Sequence, residues 1–150
     1  MLVTTLDRTD RKILDLLQRD GRLANVELAE KVALSPSPCL RRVRALEEAG
    51  VVRQYVALLD PGKVGLALLA YVNVKLEKRG KMPIDDFSQS VQAWPEVVAC
   101  YSMTGDMDYL LRVQVENLDH YTRFMMERLL KQAGVIDVKS NFVLERIKDT

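Results

Sequence analysis

Two short stretches of this chain gather residues that bind charged groups, and they ask for different partners. The first, "SPSPCLRRVR" from Ser35 to Arg44, carries Arg41, Arg42 and Arg44, and no acid follows until Glu47. Guanidinium groups pair with phosphate oxygens, and one aimed at a base edge pairs bidentately with guanine. The second, "TGDMD" from Thr104 to Asp108, sets a glycine beside two carboxylates. A backbone N–H next to Gly105 can meet an α-carboxylate with no side chain in the way, while Asp106 or Asp108 can accept from an α-ammonium. Asp and Gly equally suit an ordinary hairpin turn, so on these residues alone both readings stand.

Elsewhere the chain offers little that could do chemistry. His120 is the single histidine and has no evident partner, and there is no Ser/His/Asp set, metal-ligand spacing or phosphate-binding glycine loop. The expectation is therefore no enzyme, no cofactor and no metal, with His120 solvated or in a supporting role. Cys39 and Cys100 lie far apart without a CxxC spacing, which points to a reducing cytoplasm rather than a disulfide framework. The longest apolar-rich run, Val64 to Val74, is shorter than the roughly 20 residues that cross a bilayer, and no basic-then-apolar leader opens the chain. Neither membrane nor secretion is expected. With a formal net charge of +1, any signal for nucleic acid has to be local.

The elements that must hold these residues follow from periodicity. Ile13, Leu14 and Leu17 predict a first helix from Asp7, with Gly21 as its left-handed stop. Asn25 is the predicted cap of a short second helix with Val26, Ala29 and Val32 on one side. A third helix opens at Ser35 as N-cap, with Pro36 at its first position, and closes at Gly50, where Leu46 and Val51 can make the apolar contact of a Schellman end. Its Cys39, Val43 and Leu46 face inward with Leu40 at the edge; Ser37, Arg41 and Ala45 face outward, and Arg42 and Arg44 flank them. Small residues plus an arginine on the exposed face of the second of two helices joined by a tight turn make a helix-turn-helix, whose reading helix enters the major groove. The run "VVRQYVAL", Val51 to Leu58, reads as a strand, a wing or linker leading out.

Beyond it, Leu66 to Leu76 alternates with period two. Pro83 starts a helix with Ile84, Phe87, Val91 and Trp94 on one side, and Pro95 stops it. "EVVACYSMT" and "YLLRVQVE" are strands around the glycine–acid turn. Asn117 caps a helix with Leu118, Tyr121, Met125 and Leu129 in register, and Ile136, Val138, Phe142 and Leu144 mark a last strand. The order β-α-β-β-α-β is the ferredoxin-like arrangement, an antiparallel sheet with helices on one face. Apolar groups on both sides of the second strand predict that the open face packs against a second subunit. The fold class is thus α+β: a winged helix-turn-helix with a linker strand over residues 1–60, then a ferredoxin-like domain over 61–150.

The segment "LDRTDRKILDLLQRDGRLANVELAEKVALSPSPCLRRVRALEEAGVVRQY" and the later "TGDMDYLL" resemble the Lrp/AsnC, or feast/famine, transcription regulators, over essentially the whole chain. The resemblance implies that Ser35, Ser37, Pro38, Arg41, Arg42 and Arg44 lie at a double-stranded DNA interface. It implies that Thr104, Gly105, Asp106 and Asp108 line or shape the site of an amino-acid effector, and that the chain forms homodimers that assemble further, often to octamers. Ser140, on the buried-side parity of the last strand, is a weaker ligand candidate. The expected function is a sequence-specific DNA-binding regulator responsive to a small amino acid. The alternative is an amino-acid-sensing subunit of a metabolic enzyme whose N-terminal helices dock protein. With three arginines per subunit on phosphates, a dimer on DNA is expected to show log K falling against log salt with a slope of about −5.

Overall fold

The protein is described here by a computed structural model that covers residues 5–77 and 82–148, with the side chains of residues 82–84 also outside the description. The chain divides into two compact units, Met1–Leu58 and Leu59–Thr150.

In the first unit α1 spans Arg8–Arg19, α2 Asn25–Lys31 and α3 Pro36–Glu48. Helix α1 is opened by a reciprocal cap: Asp10 N–H donates to the Asp7 carboxylate at 2.8 Å, and Asp7 N–H to the Asp10 carboxylate at 3.1 Å. The expected left-handed stop at Gly21 is absent, because Asp20 ends the helix in extended conformation and its Oδ1 accepts the Arg22 N–H. Gly21 lies beside Tyr55, where a Cβ would stand 3.4 Å from the ring, an ordinary van der Waals contact. The cap expected at Asn25 is also not made; Ala24 holds the cap position without a side-chain bond, and Asn25 is the first helical residue. Burial corrects the stripe of α2, since Val26 is exposed whereas Leu28, Ala29 and Val32 join Ile13 of α1 and Cys39, Val43 and Leu46 of α3 in one small core.

Helices α2 and α3 end alike. In α3 the Val51 N–H returns to the Leu46 carbonyl and the Gly50 N–H to that of Glu47, both at 2.9 Å, with Gly50 at φ 69°. In α2 the Leu34 N–H returns to Ala29 at 2.9 Å and the Ala33 N–H to Glu30 at 3.1 Å, with Ala33 at φ 57°. Both are Schellman ends, which need a left-handed residue at the first position past the cap. The strand expected over Val51 to Leu58 does not form: that stretch has no ladder partner, and Tyr55 is held by donating to Glu47 at 2.8 Å.

In the second unit β1 (Leu68–Leu76), α4 (Met82–Ala93), β2 (Val97–Ser102), β3 (Tyr109–Val115), α5 (Leu118–Phe124) and β4 (Val135–Phe142) follow in the expected order. The sheet is antiparallel in the order β2-β3-β1-β4, the ferredoxin-like arrangement. Ala70, Val72 and Val74 of β1 with Leu111, Val113 and Val115 of β3 are fully buried under Phe87 of α4 and Tyr121 and Phe124 of α5. Trp94 closes this layer edge-on, 6.2 Å from Phe87 and 5.6 Å from Phe124.

Helix α5 departs from a 3.6-residue period. It passes into a π-helical turn, Met125–Leu129, which widens the spacing after Phe124 so that Leu129 joins Tyr121 and Phe124 against the sheet; Leu118, at the first position of the helix, is exposed. The last strand is shorter than expected, and Leu144 beyond it is fully exposed. On the sheet's other face Leu69 and Tyr71 are half-buried and Tyr101 is half-exposed, so that face carries apolar groups, and among the described residues no helix of the unit packs on them.

Candidate nucleic-acid interface and effector site

Helix α3 is set against α2 by one long-range bond at its beginning. The Asn25 amide donates from Nδ2 to the Pro36 carbonyl at 2.8 Å, which ties the first residue of one helix to the first turn of the next. Ser35 occupies the N-cap position in extended conformation, its hydroxyl making no capping bond, and Pro36 begins the helix. Because Pro36 and Pro38 lack an N–H, Ser37 is the residue of positions 36–38 that offers a backbone donor at this positive helix end.

Outward from that start run Ser37, Leu40, Arg41, Arg44 and Ala45, all exposed, while Cys39, Val43 and Leu46 are buried behind them. The spacing i, i+3, i+4, i+7, i+8 makes these five a single helix face. Neither Arg41 nor Arg44 has an ion-pair partner among the described residues.

Arg42 does not share their position. Its Nη1 donates to Asp7 Oδ2 at 2.7 Å and to Asp10 Oδ1 at 2.8 Å, so it spans the two acids of the α1 cap. The physical reason lies in the wheel, which carries residue 42 well round from the outer face towards the buried one, where the start of α1 is within reach. Asp7 is held below its ordinary value of 3.8 first by the Asp10 N–H and then by this guanidinium, and Arg42 is raised in turn by the two carboxylates. Placing Arg42 at the DNA face is therefore revised: it joins α3 to α1.

The glycine–acid turn follows β2 and leads into β3. Asp108 N–H donates to the Val74 carbonyl at 2.9 Å, its Oδ2 accepts the Leu76 N–H at 2.8 Å, and its carbonyl accepts the Met103 N–H at 2.8 Å. Asp108 thus closes the loop upon the end of β1, leaving Oδ1 for anything else. Thr104, Gly105 and Asp106 stand exposed, Gly105 at φ 108° with nothing within 4 Å of where a Cβ would lie. The loop presents a glycine backbone and one carboxylate, Asp106, that has no hydrogen-bond or ion-pair partner among the described residues, the combination an α-amino acid needs.

Ser140 lies opposite Val72 in the β1–β4 ladder and accepts a hydrogen bond from the Tyr121 hydroxyl. Burial of Tyr121 raises its pKa against the opposing effect of that bond, and its ring meets Phe142 edge-on at 4.9 Å. One polar cluster escaped sequence reasoning altogether. Glu96, 8% exposed, accepts from Arg128 at 2.9 Å and lies 3.4 Å from His120 Nε2, fastening the start of β2 to α5 and the π-turn. Its members are 24 and 32 residues apart in sequence, so no local spacing marks them. Among the described residues no group of His, Cys, Asp or Glu could hold a metal ion, and no helix is long and apolar enough to cross a membrane.

Comparison with known proteins bears on both faces. A family model described as winged helix-turn-helix DNA-binding matches residues 6–53, and one described as Lrp/AsnC ligand binding domain matches residues 69–150. A transcriptional regulator from Neisseria meningitidis, solved as a complex with L-Met, is similar at 52% identity with a TM-score of 0.94, covering 97% of this chain and 94% of that one. An AsnC family transcriptional regulator from Agrobacterium tumefaciens is similar at 45% identity and a TM-score of 0.91, with the same coverage, 97% and 94%. The leucine-responsive regulatory protein of Escherichia coli is 41% identical over 145 residues, 97% of this chain and 88% of its own length.

Proposed function

The chain belongs to the Lrp/AsnC family, as a DNA-binding transcription regulator that responds to an amino acid, and on that premise we propose how its two units divide the work. Helix α3 is the reading helix. Ser35, Ser37 and Pro38 set its first turn against the DNA backbone, Arg41 reads a guanine, and Arg44 holds a phosphate. The single observation that carries this reading is the outer face of α3, where two unpaired guanidinium groups stand among small side chains while the third arginine is consumed inside the unit.

In the second unit the effector's carboxylate meets the backbone around Thr104 and Gly105, and its ammonium meets Asp106, with Asp108 holding the loop in shape and Ser140 at the margin. Because Thr104, Gly105 and Asp106 stand exposed without side-chain partners among the described residues, the site is completed by another subunit, within a homodimer formed through the apolar open face of the sheet and a larger ring such as an octamer. An apolar side chain of about the size of methionine or leucine suits the effector. The L-Met complex of the Neisseria relative and the name of the Escherichia one support that choice.

Electrophoretic shifts over genomic fragments, with and without L-methionine, test the reading. Selected fragments should be retained, with binding or stoichiometry altered by the amino acid. Uniform retention of every fragment, or indifference to all twenty amino acids, would defeat it.

A further inference from the structure

One residue on the reading face has no evident business there. Helix α3 buries Cys39 to 0%, Val43 to 9% and Leu46 to 3%, yet leaves Leu40 37% exposed. Leu40 does not stand apart from the polar groups: Ser37 precedes it by one turn, Arg44 follows it by one turn, and Arg41 is its neighbour, so the four share one open patch of the helix face with Ala45 and Glu48. An isolated exposed leucine is ordinary on a protein surface. This one is flanked by two uncommitted guanidinium groups, which a protein partner seeking an apolar anchor would have to desolvate unpaired.

Duplex DNA satisfies both demands at once. Its phosphates and guanine edges take the arginines, and in the major groove a single base, thymine, presents an apolar group, the C5-methyl. Assuming that α3 reads the groove as proposed above, we infer that Leu40 is a specificity-determining residue that packs on the methyl of a thymine beside the guanine read by Arg41. Adjacency follows from the helix, since residues one apart rise about 1.5 Å and point about 100° apart, so their tips reach neighbouring base pairs rather than the same one. Ser37 and Ala45, too short to compete for that methyl, leave Leu40 as the apolar side chain of sufficient length on this face.

The test replaces each thymine of a selected site, one at a time, by deoxyuridine, which pairs as thymine does but lacks the methyl. Wild type, Leu40→Ala and Leu40→Met are compared after thermal melts confirm that both variants are folded. At one thymine, next to the guanine whose substitution abolishes the Arg41→Ala penalty, deoxyuridine should weaken wild-type binding about fourfold, the worth of one buried methyl. Leu40→Met should keep that sensitivity. Leu40→Ala should bind the thymine site less tightly and lose nothing further on deoxyuridine. Equal losses in wild type and Leu40→Ala, or insensitivity of wild type at every thymine, overturn the inference. Failure of the wild type to select any site would instead sink the assignment of α3 as the reading helix, so the two failures are distinguishable.

Discussion

The reading face of α3 and the loop at Thr104 to Asp108 are both exposed and both carry charge, but they differ in what their own chain has done with it. Helix α3 has sorted its arginines: Arg42 is tied to Asp7 and Asp10, while Arg41 and Arg44 stand free on a convex face that needs nothing more from the protein. The loop has spent one Oδ of Asp108 and its backbone on the ladder end, and it presents Thr104, Gly105 and Asp106 to an open side. A convex ligand such as duplex DNA is met by one helix face. A small molecule has to be enclosed over most of its surface, and one loop cannot do that. On the proposed function, the first site is therefore complete within a subunit and the loop is half a site.

Two substitutions would break that contrast if it is wrong. Arg41→Ala should cost roughly 1–3 kcal/mol on a selected site while sparing random DNA and leaving the thermal midpoint in place. Equal losses on every sequence would demote Arg41 to a phosphate contact. Asp108→Ala should act in the opposite register, lowering stability by roughly 1–2 kcal/mol in urea titration because the Leu76 N–H loses its charged partner. If instead stability holds and only the amino-acid response disappears, Asp108 is a ligand before it is a strand anchor.

The same contrast explains how much of the molecule could be read in advance. Within α3 the cap position at Ser35, Pro36 at the first position, the stop at Gly50 and the buried trio Cys39, Val43 and Leu46 all followed from local spacing. So did the strand order and the buried parity of β1 and β3, because alternation survives without knowledge of the partner strand. Arg42 was misplaced because its partners lie 35 and 32 residues away, beyond any window on one helix. Phe124 was passed over because the π-turn after it makes the next buried step five residues long, to Leu129, which a 3.6-residue period does not contain, and Leu118 was taken as core although it is the exposed first residue of the helix. The linker strand failed for a related reason: β-propensity in "VVRQYVAL" has no effect until a neighbouring strand accepts it. The glycine–acid loop was legible as chemistry, but the anchoring of Asp108 to Val74 and Leu76 was not, since those partners lie more than 30 residues away.

Salt dependence sharpens the division among the three arginines. With Arg44 alone of the three set on a phosphate, α3 should contribute about −1.8 per dimer to the slope of log K against log salt rather than the −5 or so expected from three. Arg44→Ala should flatten it by about 1.8, and Arg42→Met should leave it unchanged. Acid provides the complementary measurement on Arg42. Since the folded-state value of Asp7 lies below the 3.8 of the unfolded chain, its carboxylate contributes stability that is present above 3.8 and lost as pH falls through the lowered value. Asp7→Asn keeps a capping oxygen but not the charge. Its deficit against wild type should be constant above about pH 5 and shrink away as pH falls through the lowered value of Asp7. A deficit that persists in acid would mean that the cap, rather than the ion pair, is what Asp7 supplies.

The smallest effect lies in the turn that aims α3. Helices α2 and α3 end in the same hydrogen-bond pattern, yet the left-handed position is glycine at Gly50 and alanine at Ala33. An L-residue held left-handed costs roughly 1–2 kcal/mol, while glycine gives back roughly 0.5–1 kcal/mol through its freer unfolded chain. Ala33→Gly should therefore stabilise the chain by about 0.5 kcal/mol, read as a higher urea midpoint with an unchanged slope. The two closing bonds at 2.9 and 3.1 Å are backbone bonds and survive the change, so the angle between the helices and the preference for a selected site should survive with them. If the site preference falls while stability rises, the geometry of the reading face depends on the Cβ at Ala33, and the helix ends alone do not make that face self-sufficient.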